Sequence, residues 1–128
     1  MRIAALIARY LLALMFLVFG FNGFFHFITM PPMPGLPGQF MGAVFASHMY
    51  VVIFLLQIIC GLLFLIGRYV PLALVLLGPI LVNILLFHFL FGVRGSVTGL
   101  VCTGLELFLI WMYRECFLGL FEAAPKIG

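Results

Sequence analysis

Charge is what this sequence lacks most: its 128 residues carry six basic and three acidic side chains. Apolar residues make up 67% of the chain. A soluble domain of this size has too little interior to hide so much apolar surface, so the composition excludes a soluble fold and predicts lipid as the solvent. The net charge of +3 is explained by membrane topology, and no nucleic-acid partner is predicted.

Paired redox or metal ligands are also missing. Cys60, Cys102 and Cys116 form no CxxC motif and lie in different segments, which argues against a thiol-relay enzyme of the vitamin K epoxide reductase type. We interpret the cysteines as small buried apolar residues. The three histidines form no H-x-x-H pair, so neither a metal nor a haem site is predicted.

The apolar runs predict an all-α fold, an integral membrane four-helix bundle that occupies residues 1–128 as a single domain. A membrane-spanning helix needs about 20 apolar residues. Four segments meet this requirement: Ile3–Ile28, Phe40–Ile66, Val70–Phe91 and Val97–Tyr113. The proline-rich segment Thr29–Gln39 and two glycine-containing turns separate them. Pro71 suits the first turn of the third span, and Ser96 is a predicted N-cap of the fourth.

The basic residues predict the orientation of these spans. Four spans place both termini and the second loop on one side of the membrane. Five of the six basic residues fall on that side, and one falls on the other. The five are Arg2, Arg9, Arg68, Arg114 and Lys126, and the other is Arg94. The positive-inside rule then predicts cytoplasmic termini, and we expect a multi-pass protein of the bacterial inner membrane.

Polar residues inside the predicted spans are the candidate site residues. Counted from the basic ends at 1.5 Å per residue, two asparagines lie roughly 18–21 Å deep and all three histidines roughly 25–30 Å deep. We predict that these residues form an outward-facing ligand pocket: Asn22, His26, His48, Asn83 and His88. The alternative is that the histidines bond water or headgroups and the amides bond neighbouring helices.

Glu106 and Gln57 are a second candidate site, roughly 12–16 Å from the basic ends. A carboxylate at the centre of a membrane helix costs about 2.5–3.5 kcal/mol or more, and no cation of this chain lies at its depth. Glu106 must therefore be protonated, bonded to an amide such as Gln57, or paired with another subunit. We predict a proton or hydrogen-bond site and leave open whether its role is functional or structural.

The chain also resembles the DoxX-like family over nearly its whole length. The segments that carry the resemblance are Ala8-Arg9, Phe19–Phe27, Met30–Pro34, Gly67–Leu74, Leu77–His88 and Tyr113-Arg114. The family consists of small four-helix membrane proteins. The resemblance implies a tie to membrane redox systems, because one relative in that family is the small subunit of thiosulfate:quinone oxidoreductase.

Three functions remain open at this point, and enzymatic activity is undecided. The first is a non-catalytic or accessory subunit, or anchor, of a respiratory or other redox complex, with other membrane subunits or further copies as partners. The second is a component that binds a quinone, because histidine and amide donors beside phenylalanine side chains suit a quinone ring. The third is a small-molecule carrier, since a proline-broken helix and a midplane acid are also carrier traits.

Overall fold

All regular elements in the described part of the chain are helices, which confirms the predicted all-α class. The computed structural model describes residues 2–26, 33–92 and 96–127. Five α-helices follow one another, and a 3-10 helix comes last. They are α1 (Arg2–Phe25), α2 (Leu36–Ala46), α3 (Met49–Ile66), α4 (Val70–Leu90), α5 (Ser96–Met112) and the 3-10 helix Arg114–Phe121.

Four of these helices pack in a ring. Helix α1 contacts α3 and α5, and α4 contacts the same two helices from the opposite side. The short helix α2 packs against α3. Apolar side chains fill the interior of the ring, and the largest fully buried ones are Leu12, Phe16, Phe64, Leu74, Leu77 and Leu109.

Three helices, α1, α3 and α4, are long and apolar enough to cross a membrane. Helix α5 has 17 residues, the lower limit for a span, and it qualifies together with the 3-10 helix, from which it is bent by 81°. The described residues therefore contain three or four candidate spans. The predicted end of the first span at Ile28, the start of the Thr29–Gln39 loop and the cation Arg94 lie outside the described residues.

The prediction of one continuous span over Phe40–Ile66 is wrong. The helix breaks at Ser47 and His48, where His48 adopts the left-handed conformation with φ 62° and ψ 16°. The Ser47 hydroxyl donates to the carbonyl of Val44 over 3.3 Å and accepts from the Met49 N–H over 3.4 Å. A serine that bonds its local backbone in this way competes with the helical pattern. The candidate span in this region is therefore α3.

Glycine brings α1 and α3 close together. A Cβ at Gly20 would lie 2.7 Å from Ile58 Cγ1 and 3.1 Å from the Phe54 carbonyl, and one at Gly61 would lie 2.9 Å from Leu17 Cγ. Small residues at a crossing let helix backbones approach, which is how membrane helices gain packing energy. This crossing anchors α1 in the ring.

The starts of α4 and α5 agree with the sequence predictions to different extents. Pro71 occupies the first turn of α4, as predicted, after Gly67 and Tyr69 in left-handed conformations. Ser96 is not the residue before α5 but its first residue. The residues directly before Ser96 lie outside the described part of the chain.

Cations collect at the end of the bundle where α3 ends and α4 begins. The Arg9 guanidinium lies 4.9 Å from the centre of the Tyr10 ring, and a Cβ at Gly67 would meet its Nη1 at 2.6 Å. At the end of α5, Arg114 lies 4.7 Å from the centre of the Trp111 ring. Each of these two cations thus lies against an aromatic ring of the residue beside it or one turn before it.

Candidate functional site

Glu106 lies inside the bundle because of its position on α5. The buried residues of this helix are Gly99, Cys102, Glu106 and Leu109, spaced by three or four residues so that they share one face. That face points into the ring of helices, and Glu106 is only 5% exposed. The sequence thus places a carboxyl where a membrane bundle normally has an apolar side chain.

Groups from three other helices line the region of Glu106. A Cβ on Gly78 of α4 would be 4.0 Å from its Oε2, so this glycine leaves room for the carboxyl. Cys60 of α3 and Cys102 lie within electrostatic range of Glu106. The Cys102 thiol donates to Met15 Sδ on α1 over 3.8 Å. The site is thus small and rich in sulfur.

The Glu106 carboxyl has little polar support there. Its Oε1 is buried and has no hydrogen-bond partner in the part of the chain that the structure describes. Gln57 is also buried, at 4% exposure, three residues before Cys60 on α3, yet it makes no hydrogen bond with Glu106 among the described residues. Of the three predicted states for Glu106, protonation agrees best with this enclosure, because an unpaired charge is very costly there.

Two of the three histidines lie on a shared aromatic cluster at the other end of the bundle. We call His26, Phe45, His48 and Tyr50 the histidine–aromatic cluster. The Phe45 ring lies 5.6 Å from His26 and 4.9 Å from Tyr50, and Tyr50 lies 6.1 Å from His48, measured between ring centres. Both histidines are exposed, and both have positive φ, since each follows the end of a helix.

His88 lies in a separate group of rings on α4. Its Nδ1 is 2.8 Å from the Ile84 carbonyl, and its ring meets Phe87 edge-on at 5.5 Å. Phe87 in turn contacts Phe40 and Phe91. An imidazole that donates through Nδ1 keeps Nε2 as an acceptor. Helix α2 joins the two groups of rings, because it carries both Phe40 and Phe45.

The predicted outer pocket is only partly assembled. His26 and His48 both belong to the histidine–aromatic cluster, where His26 contacts Phe45 and His48 contacts Tyr50. His88 lies in the neighbouring group of rings. Asn22 is buried at 9% exposure, whereas Asn83 lies on the exposed face of α4 and does not join it. Among the described residues, no three His, Cys, Asp or Glu side chains are placed to hold a metal ion.

Comparison with known proteins gives a partial similarity. An uncharacterised protein of Bacillus subtilis (strain 168), YwoB, is 33% identical over 69 residues, which are 54% of this chain and 45% of that protein. The chain thus spans less than half the length of this relative. No protein-family model and no solved structure matches the chain.

Sequence reasoning missed the groups that surround Glu106. The sequence predicts Cys102 only as a small buried apolar residue, although Cys102 precedes Glu106 by four residues and so lies on the same face of α5. Met15, Cys60 and Gly78 come from other helices, and only the packing of the bundle brings them near. The spacing of Cys102 was the one signal available in the sequence.

Proposed function

We propose that this chain is an integral, non-catalytic subunit or anchor of a larger membrane complex with a redox function, as its resemblance to the DoxX-like family implies. The observation that supports this most is how little of each long helix its own bundle covers. In the most apolar 18 residues of α1, α3 and α4, 28% of the positions are buried. The remaining surface is available to lipid and to helices of partner subunits.

In this proposal the protonated Glu106 side chain has a structural role and takes no part in proton transfer. Its carboxyl is enclosed by its own bundle, so a cation from another subunit cannot reach it without opening the helices. A protonated carboxyl can stay in this enclosure without a charged partner. This agrees with a component whose task is to hold its shape within an assembly.

Purification in a mild detergent tests the proposal. The full chain carries a C-terminal tag and is extracted from membranes of its own host at native expression levels. We expect a second membrane protein in fixed stoichiometry, with quinone reduction or oxidation measurable in the purified assembly. A chain that purifies without a protein partner contradicts the proposal.

Quinone binding by the chain itself is the second candidate, and the histidine–aromatic cluster favours it. Imidazole donors beside the rings of Phe45 and Tyr50 suit the carbonyl groups and the flat face of a quinone. Organic extraction of the purified chain followed by chromatography decides between the two. A stoichiometric quinone in the chain without partners would replace the first proposal with the second.

The proposed orientation has four spans, both termini in the cytoplasm and the proline-rich loop outside, in a bacterial inner membrane. It is supported by the cations at one end of the bundle. Gly35, which is exposed and has open space around its Cα, is the labelling position. With Cys116 changed to Ser, a Gly35→Cys variant should react with a membrane-impermeant maleimide in intact cells. Labelling only after lysis would reverse the orientation.

A further inference from the structure

One side chain of α4 is polar where the helix faces the membrane. Asn83 is exposed, and it lies 13 residues after the start of α4 at Val70 and seven before its end at Leu90. At 1.5 Å per residue it is roughly 20 Å from one end of the helix and roughly 10 Å from the other. Its amide makes no hydrogen bond within the described residues. In hydrocarbon an amide left in this state costs free energy.

The same face of α4 also lacks one helical hydrogen bond, at Pro79. Val75, Pro79 and Asn83 are spaced by four residues, so they lie in one row, and all three are exposed. Pro79 lies inside the helix and has no N–H to donate to the carbonyl of Val75. Prolines are tolerated in membrane helices where neighbouring groups supply the missing hydrogen bonds. The row therefore combines the Asn83 amide with a backbone carbonyl that lacks its usual helical N–H donor.

The geometry points to a second copy of this chain as the neighbour of this row: the exposed α4 face around Asn83 forms a symmetric contact with the same face of another copy. Two copies in one membrane share their orientation, so their Asn83 side chains lie at the same depth. A carboxamide offers both a donor and an acceptor, so two facing asparagines satisfy each other. A different protein would need a matching polar group at that same depth.

This contact leaves the bundle itself unchanged. Val82, exposed at 56%, and Leu86, exposed at 47%, flank Asn83 and supply apolar area on either side of the amides. Glu106 and the core remain enclosed in each copy. The inference goes beyond the proposed function, because the chain can pair with itself whether or not it also joins a larger complex.

Disulfide cross-linking in membranes tests the inference. With Cys116 changed to Ser, since it is the exposed cysteine, Leu86→Cys places a thiol one turn from Asn83. We expect covalent dimers from Leu86→Cys after mild oxidation. The matched control is Val52→Cys on α3, exposed at 61% and at a similar depth, and it should stay monomeric. Equal cross-linking from both positions would overturn the inference.

The amide itself is tested by substitution. Asn83→Leu should weaken dimerisation of the purified chain about 3- to 30-fold, the factor that corresponds to about 0.6–2 kcal/mol for a hydrogen bond between membrane helices. Asn83→Gln should retain most of the dimer, and Val52→Leu, on the exposed face of α3 outside the contact, should retain all of it. Thermal unfolding of each variant shows whether the fold is intact. An unchanged dimer with Asn83→Leu, or cross-linking of Leu86→Cys only to another protein, would refute the self-pairing.

Discussion

Glu106 on α5 and Asn83 on α4 each place a polar group in the middle part of an apolar helix. Glu106 faces the interior of the bundle, whereas Asn83 faces outward. Glu106 is 5% exposed and lies inside the ring, next to Gly78 of α4. Asn83 is exposed on the outer face of α4. The comparison teaches that burial, more than residue type or depth, separates a group that the bundle must accommodate itself from one that needs a second molecule.

The largest effect is expected where inward and outward glycines are compared. Gly20→Val should destabilise the chain by about 1–3 kcal/mol, because the added atoms meet Ile58 and the Phe54 carbonyl and overpacking has a cost of this size. Gly104→Val is the control, since no atom lies within 4 Å of its Cβ position. Thermal unfolding in detergent measures both. Equal destabilisation would show that α1 and α3 do not cross at Gly20.

The Glu106 variants sharpen the inward half of the comparison. Glu106→Gln should change the free energy of unfolding by less than about 1 kcal/mol, because an uncharged carboxyl and an amide are similar in size and polarity. Glu106→Leu should also be tolerated, since removing a buried polar group without a partner is close to neutral or stabilising. Chemical unfolding of both variants measures this. A loss of about 3 kcal/mol or more with both would reveal a paired carboxylate.

A small effect is also expected at His48, where the predicted second span breaks. His48 has φ 62°, a conformation that costs a residue with a side chain about 1 kcal/mol and costs glycine almost nothing. His48→Gly should therefore raise the stability by up to about 1 kcal/mol, whereas His48→Val should lower it. Differential scanning fluorimetry in detergent distinguishes the two. Destabilisation by glycine would show that the imidazole makes a contact worth more than the strain.

Periodic, one-dimensional features of the fold were predictable from the sequence, and cross-helix features were not. Apolar length located α1, α4 and α5, and the basic residues located one end of the bundle. The break at Ser47-His48 has no proline or glycine to announce it, so apolar length alone extended the second span across it. The 3-10 helix Arg114–Phe121 was not predicted for a similar reason. Its buried residue is Phe117, and the burial of that side chain depends on packing rather than on a local sequence signal.

The candidate sites divide in the same way. Depth counting placed Glu106 and Gln57 at neighbouring levels, and both are buried. It also placed Asn22 and Asn83 at one level, yet one faces the interior and the other the exterior. Rotation of a helix about its axis depends on which neighbours it meets, and for α4, apolar on every side, the sequence holds no signal for that choice.

Native mass spectrometry of two variants side by side tests the central contrast most directly. The purified chain with Glu106→Leu and the purified chain with Asn83→Leu are released from the same detergent at the same concentration. The account predicts that Glu106→Leu gives dimers in the same proportion as the unmodified chain, whereas Asn83→Leu gives a clearly smaller proportion of dimers and more folded 14.3 kDa monomers. Dimers lost with Glu106→Leu and kept with Asn83→Leu would contradict it.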